Sequence, residues 1–344
     1  MAITIEIFHP RGPDDALGLL DGLRRLPLDR VRRLAILGKT EGPATLNDFS
    51  RQLAQSAVDD ALAQAGGTAL LARTTRLFST GCEGIVSPVT VLLADIDDAS
   101  TSAPQKIGLA FGAANSSPLA DADRASAAHL DASRDTVRLA MADASLAADQ
   151  VALVLIKSPI LSGAEAARQG GDRLRHGGST GSARGAAALG AGLALGEIEH
   201  ALLGPDPVSR TKAYARRVMA FSGTETDRLE AVVIGMRPGG DARWGIRSSL
   251  VDDIADGEAL GAMRPAVARD LVLVLMKAGI SSDGTLRGRR TTVLTSDLPA
   301  DKQLRAAASG VIAACFGGAD AFISAGAEHL GPPGACLCSV IVKR

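Results

Sequence analysis

The sequence predicts an α/β protein built from three similar units, and three observations carry that reading. Strand-like apolar runs alternate with Ala-rich segments along the 344-residue chain, the pattern expected when helices pack on sheets. Two turn-rich stretches, Ala99–Gln105 and Arg237–Arg243, cut the chain into three pieces. The same ordered set of lysine, arginine and serine then recurs in each piece. The expected units are residues 1–98, 106–237 and 244–344.

The strand expectations are Ala2–Phe8, Arg33–Leu37, Val89–Leu93, Ala152–Ile156, Ala231–Ile234, Leu271–Met276 and Val340–Val342. Helices are expected over Leu46–Ala65, Ser133–Ala144, Ala183–Leu195 and Asp301–Ala314, with Asn47 or Asp48 as an N-cap. Each unit carries an apolar run closing on lysine: Leu34-Ala-Ile-Leu-Gly-Lys39, Leu153-Val-Leu-Ile-Lys157 and Leu271-Val-Leu-Val-Leu-Met-Lys277. An arginine follows at Arg51, Arg184 and Arg290. A second run then ends on serine, small residues and glutamate. Its versions are Phe78-Ser79-Thr-Gly-Cys-Glu83, Phe221-Ser222-Gly-Thr-Glu225 and Ile323-Ser324-Ala-Gly-Ala-Glu328. A repeated scaffold needs only its apolar pattern and glycines, so threefold recurrence of all three polar residues points to chemistry.

Composition narrows the classes. With 46% hydrophobic and 22% charged residues the chain is an ordinary folded protein. Lys plus Arg number 37 against 38 acidic residues, so no basic excess exists to hold nucleic acid. Only 3% of residues are aromatic, which leaves little for base stacking. Cys82, Cys315, Cys336 and Cys338 form no C-x-x-C pair, and the five histidines are scattered, so no transition-metal site is expected. The N-terminus lacks a signal-peptide pattern and the longest apolar runs cannot span a bilayer. The expected setting is the cytoplasm.

Serine becomes a nucleophile when a base removes its proton, and a lysine desolvated near other cations can be that base. Glycine-rich turns beside Ser79, Ser222 and Ser324 let backbone N–H groups approach a substrate oxygen. Three such sets around one cavity suit a small ring carrying several carbonyls, and the implied reaction is amide or imide hydrolysis. The residues alone leave open which pair reacts.

The chain resembles the cyanuric acid amidohydrolase and barbiturase family of ring-opening hydrolases along almost its whole length. The resemblance rests on Leu37-Gly-Lys-Thr-Glu-Gly42, Asn47-Asp-Phe-Ser-Arg51 and Ser79-Thr-Gly-Cys-Glu-Gly-Ile-Val-Ser-Pro88. It continues in Lys157-Ser-Pro, Ala183-Arg-Gly-Ala-Ala-Ala-Leu-Gly190, Asp283-Gly-Thr-Leu-Arg-Gly-Arg-Arg290 and Ser324-Ala-Gly-Ala-Glu-His-Leu-Gly-Pro-Pro-Gly334.

That resemblance implies three α/β units around a pseudo-three-fold axis with the active site at the centre. It pairs Lys39 with Ser79, Lys157 with Ser222 and Lys277 with Ser324, the second pair being catalytic. Arg51, Arg184 and Arg290 would hold carbonyls with Ser79 and Ser324, and Thr80, Gly223 and Ala325 would offer N–H donors. The implied reaction converts cyanuric acid to carboxybiuret and biuret, with barbituric acid to ureidomalonate, or another cyclic ureide, as alternatives. A homotetramer is implied too. The family's structural divalent ion is not expected here, because Gly279 stands where a glutamate commonly helps bind it. Pro43-Ala44, Val89, Leu330 and Ala335–Cys338 also depart from the family pattern. The competing class is a small-molecule binding protein that keeps the pocket without turnover.

Overall fold

Three four-stranded sheets with the same internal plan organise the computed structural model. It describes residues 2–45, 48–86, 88–97, 106–168, 180–203, 213–318 and 320–344. The first unit runs β1 (Ala2–Phe8), α1 (Leu17–Arg25), β2 (Val31–Thr40), α2 (Ser50–Arg73), β3 (Thr74–Thr80) and β4 (Val89–Ile96). The second contains β5 (Ile107–Asn115), α3 (Ala127–Ala144), β6 (Val151–Pro159), α4 (Gly163–Arg168), α5 (Thr180–Ala194), β7 (Val218–Gly223) and β8 (Glu230–Pro238). The third contains β9 (Trp244–Val251), α6 (Gly257–Gly261), β10 (Leu271–Ala278), the hairpin β11 (Thr285–Leu286) and β12 (Arg289–Arg290), α7 (Ala300–Phe316), β13 (Ala321–Ala325) and β14 (Cys336–Lys343).

The sheet orders are β1-β4-β2-β3, β5-β8-β6-β7 and β9-β14-β10-β13. In each, the lysine-bearing strand pairs in parallel with the strand that ends the same unit's Ser–Glu run. A helix makes that crossover, as a parallel connection requires. The lysine strands are nearly continuous apolar runs because both faces are covered.

One face of all three sheets meets in a shared core, where Leu77, Met219 and Phe322 come from the three parallel edge strands. The other face of each sheet packs on its own helices in a separate cluster. Alternation along a strand therefore decides whether a side chain faces the common centre or the helices. The strand expectations fall inside observed strands; α2 begins at Ser50 rather than Leu46, α5 ends at Ala194 rather than Leu195, and Ser133–Ala144 is extended back to Ala127, capped by Ser126. Leu46, Asn47 and the Ala99–Gln105 stretch lie outside the described residues. Asp48 accepts hydrogen bonds from Ser50 N and Ser50 Oγ at the entry to α2.

Helices α3 and α5 touch closely through Gly190, where a Cβ would lie 2.2 Å from the Leu130 carbonyl oxygen and 2.7 Å from Ser133 Cβ. Gly190→Val forces these backbones apart and should cost about 2–3 kcal/mol. A denaturant titration checks this, since an unchanged midpoint would mean the helices tolerate separation.

Candidate active site

The three Ser–Glu turns and the N-terminal parts of α2, α5 and α7 meet around a polar cavity of about 230 Å³. Arg51, Ser79, Thr80, Arg184, Ser222, Lys277, Arg305, Ser324 and Ala325 are among its lining residues. All three units thus contribute to one site. Ser79 Oγ lies 3.5 Å from Ser324 Oγ across it.

Three arginine–glutamate pairs close a ring around the cavity, each joining one unit to the next. Arg51 Nε donates to Glu225 Oε2 at 3.1 Å, from the first unit to the second. Arg184 reaches from the second to the third, donating to both Glu328 oxygens at 2.7 and 2.6 Å. Arg305 returns to the first, donating to both oxygens of Glu83. Gly81 and Gly326 have positive φ, and a Cβ on either would lie 2.6 Å from the guanidinium packed against it. These positions need glycine on both counts.

The third arginine corrects the sequence expectation. Arg290 is exposed on the short β11–β12 hairpin and is absent from the cavity lining, whereas Arg305 on α7 is buried there. Position on the helix after the lysine strand was the available signal, because Arg51 and Arg184 also sit in the opening turns of α2 and α5. The partner glutamates were visible in the sequence but had no assigned partners.

The lysines run round the ring in the opposite sense. Lys157 Nζ donates to Phe78 O in the first unit and Lys277 Nζ to Ala220 O in the second, each at 2.7 Å. Lys39 Nζ lies 6.0 Å from the centre of the Phe322 ring in the third. Lys39 also donates to Ser79 Oγ at 3.1 Å and Thr80 O at 2.9 Å, and Lys277 to Ser324 Oγ at 3.3 Å.

The second unit differs. Lys157 forms an ion pair with Glu225, and among the described residues it makes no hydrogen bond to Ser222. Ser222 Oγ instead donates to Thr180 O at 3.1 Å. The cause is register: Lys39 stands opposite Ser79 and Lys277 opposite Ser324, but Lys157 stands opposite Phe221. Phe221 accordingly joins the shared central core, as Leu77 and Phe322 do. Gly223, expected as an N–H donor, is absent from the cavity lining. In sequence it matches Gly81 and Gly326, each two residues before the glutamate, but it lacks their positive φ and lies against Glu225 and Lys157.

Burial sets the charge state of these lysines. Desolvation drives Lys277 well below its ordinary 10.5, reinforced by the Arg184, Lys39 and Arg305 cations and opposed by Glu328. Burial brings Lys39 to about 7, helped by Arg305 and Arg51. Lys157 falls only to about 8, because Glu225 partly offsets its burial.

Gly279, where the family resemblance places a metal-binding glutamate, offers no side chain. A Cβ at Gly279 would lie 2.4 Å from the Ala335 carbonyl oxygen, leaving no room for a carboxylate side chain. Among the described residues, no group of three or more His, Cys, Asp or Glu could hold a metal ion. No described helix is long and apolar enough to cross a membrane.

Comparison with known proteins agrees with the repeated plan. The family described as amidohydrolase ring-opening protein matches residues 5–343. The chain belongs to this family. A cyanuric acid amidohydrolase from Methylobacterium sp. (strain 4-46) is 36% identical over 356 residues, covering 96% of this chain and 94% of that protein. A cyclic amide hydrolase from Azorhizobium caulinodans is 31% identical over 334 residues, covering 90% and 91%. The crystal structure of a cyanuric acid hydrolase from A. caulinodans superposes with a TM-score of 0.87 at 30% identity, covering 99% of both chains. A second cyanuric acid hydrolase structure, described as an innovation by structural concatenation, gives 0.89 at 28% identity over the whole of both chains. In this family member the three sheets share one strand order.

Lowered lysine pKa values make stability depend on pH. Unfolded lysines still bind protons that the native ones have released, so stability rises with pH between the native and unfolded values. Glu230, raised by burial to about 8, acts oppositely below that pH, and the buried thiols Cys336 and Cys338, raised to about 11 and 12, act oppositely above about 9. Between pH 8 and 9 the lysines dominate, and stability should rise by about 1.4 kcal/mol per pH unit for each neutral native lysine. Denaturant titrations at the two pH values check this; a flat or falling result would mean the lysines are charged in the native state.

Proposed function

We propose that this ring-opening amidohydrolase hydrolyses a small cyclic imide or amide by a Ser–Lys mechanism, with cyanuric acid as the leading substrate. The observation that carries the reading is the cavity of about 230 Å³ lined by serines and arginines from all three units. A ring with several carbonyls offers acceptors at more than one edge, and a threefold set of donors can meet them together. The names of the similar proteins, cyanuric acid amidohydrolase and cyclic amide hydrolase, support the same substrate class.

In this mechanism a neutral lysine removes the serine proton as the hydroxyl attacks a ring carbonyl. The carbonyl electron pair moves onto oxygen, where arginine and backbone donors stabilise it. Collapse breaks the ring C–N bond, and the lysine returns its proton to the departing nitrogen. Water then hydrolyses the acyl-enzyme and releases an opened ureide-type acid. Because the base must be neutral, burial of the lysines allows the reaction near neutral pH.

Incubation with cyanuric acid and barbituric acid, followed by mass detection of ring-opened products, tests the reading. Turnover of cyanuric acid above barbituric acid is expected. Saturable binding without any product would support a binding protein instead. Arg305→Ala should lower kcat/KM by about 10²-fold, since it removes a cation bordering the cavity and strands Glu83 and Asp301. Arg290→Ala should change it less than about twofold, because that side chain lies outside the cavity.

A further inference from the structure

The second unit carries a one-residue slip that takes its serine out of register with its lysine, although Ser222 still borders the cavity, and five features agree on its position. In the parallel ladder Phe221, not Ser222, stands where Ser79 and Ser324 stand. Phe221 faces the shared core, following Met219 with the inward alternation that Ser79 and Ser324 continue from Leu77 and Phe322. Lys277 bonds Ala220 O, the carbonyl before Phe221, as Lys157 bonds Phe78 O, the carbonyl before Ser79. Counting back two residues from glutamate reaches Gly81, Gly223 and Gly326, and two more reach Ser79, Phe221 and Ser324. Finally, Ser222 Oγ is spent on a backbone carbonyl, which cannot act as a base.

We propose that Ser324 is the nucleophile of this chain and Lys277 its base, with Ser222 and Lys157 displaced from that role. The assignment rests on the Ser–Lys ring-opening reading. Two Ser–Lys contacts survive, and access to the cavity decides between them. Lys277 lines the cavity together with Ser324, whereas Lys39 lies behind Ser79 and is absent from the lining. A base that takes the serine proton and hands it to the departing ring nitrogen must reach both. Ser324 Oγ bonds to the carbonyl carbon while its proton passes to Lys277 Nζ. The ring C–N bond breaks as that proton moves to nitrogen. Water gives a proton to Lys277 and attacks the acyl carbon; the acyl C–Oγ bond then breaks as Lys277 returns that proton to Ser324 Oγ. Ser79, 3.5 Å from Ser324 Oγ, donates towards the nucleophile and positions it.

The test compares Ser79→Ala, Ser222→Ala and Ser324→Ala in the full chain, with cyanuric acid as substrate. Thermal melts verify folding, and acid-quenched wild-type reactions are mapped by peptide mass spectrometry for an acylated serine. Expected are a loss of about 10³-fold or more in kcat for Ser324→Ala and Lys277→Met. The loss in Ser222→Ala should stay below about 30-fold, and any adduct should lie on the Ser324 peptide. A greater loss in Ser222→Ala or Ser79→Ala than in Ser324→Ala, or an adduct on either of those serines, overturns the assignment. If Ser324→Ala does not fold, Ser324→Cys should turn over slowly through a thioester at position 324, and full loss without an adduct there counts against the proposal. A wild type that opens the ring but fails these tests refutes only the nucleophile. A wild type that opens neither cyanuric nor barbituric acid refutes the broader reading and this one with it.

Discussion

The ring of arginine–glutamate pairs is the constraint on which the centre of the molecule depends. Each arginine comes from one unit and each glutamate from the next, so the set closes only when all three units are in place. Buried ion pairs gain little net stability once desolvation is counted, but removing one partner strands a charge. Their value here is registration. Arg51 is almost fully buried, and Glu225, 2% exposed, has no water to fall back on if the arginine is misplaced. The shared apolar core pulls the sheets together without direction. The ion pairs fix which turn faces which helix, and the cavity takes its shape from that.

Internal repetition also leaves room for divergence, and strand parity makes a small change decisive. Sliding a strand by one residue exchanges its two faces. In β7 the exchange gains an aromatic contact: the Phe221 and Phe322 rings meet edge-on at 5.6 Å, and Lys277 Nζ lies 4.8 Å from the Phe221 ring centre. The apolar centre is thereby extended at the expense of one hydroxyl.

Much of this was legible in the sequence, and the exceptions have physical causes. Lys39, Lys157 and Lys277 stood out because each closes an apolar run, and their strands are buried as that pattern requires. Arg290 misled because it follows Lys277 at nearly the spacing that separates Arg51 from Lys39. In the third unit the β11–β12 hairpin intervenes before the helix, so equal spacing no longer means equal position. Phe221 was hidden for a different reason. Matching serine to serine aligned the wrong atoms, although serine and glutamate are four residues apart in the first and third units and three in the second. Anchoring on the glutamate, whose arginine partner comes from a neighbouring unit, would have exposed the slip. That partnership is a long-range fact with no local signature.

The same glutamate explains why the second lysine differs in charge as well as in register. Glu83 and Glu328 each give both oxygens to one arginine, leaving Lys39 and Lys277 without a carboxylate hydrogen bond. Glu225 divides its oxygens between Arg51 and Lys157. A carboxylate beside a buried lysine opposes the loss of its proton, and Glu225 holds Lys157 nearer its ordinary value than Lys39. The second unit thus has an aromatic ring opposite its lysine where the others have a serine, and that lysine is paired with Glu225. The three units hold similar sets of groups, and the placement of one carboxylate sets Lys157 apart from Lys39 and Lys277.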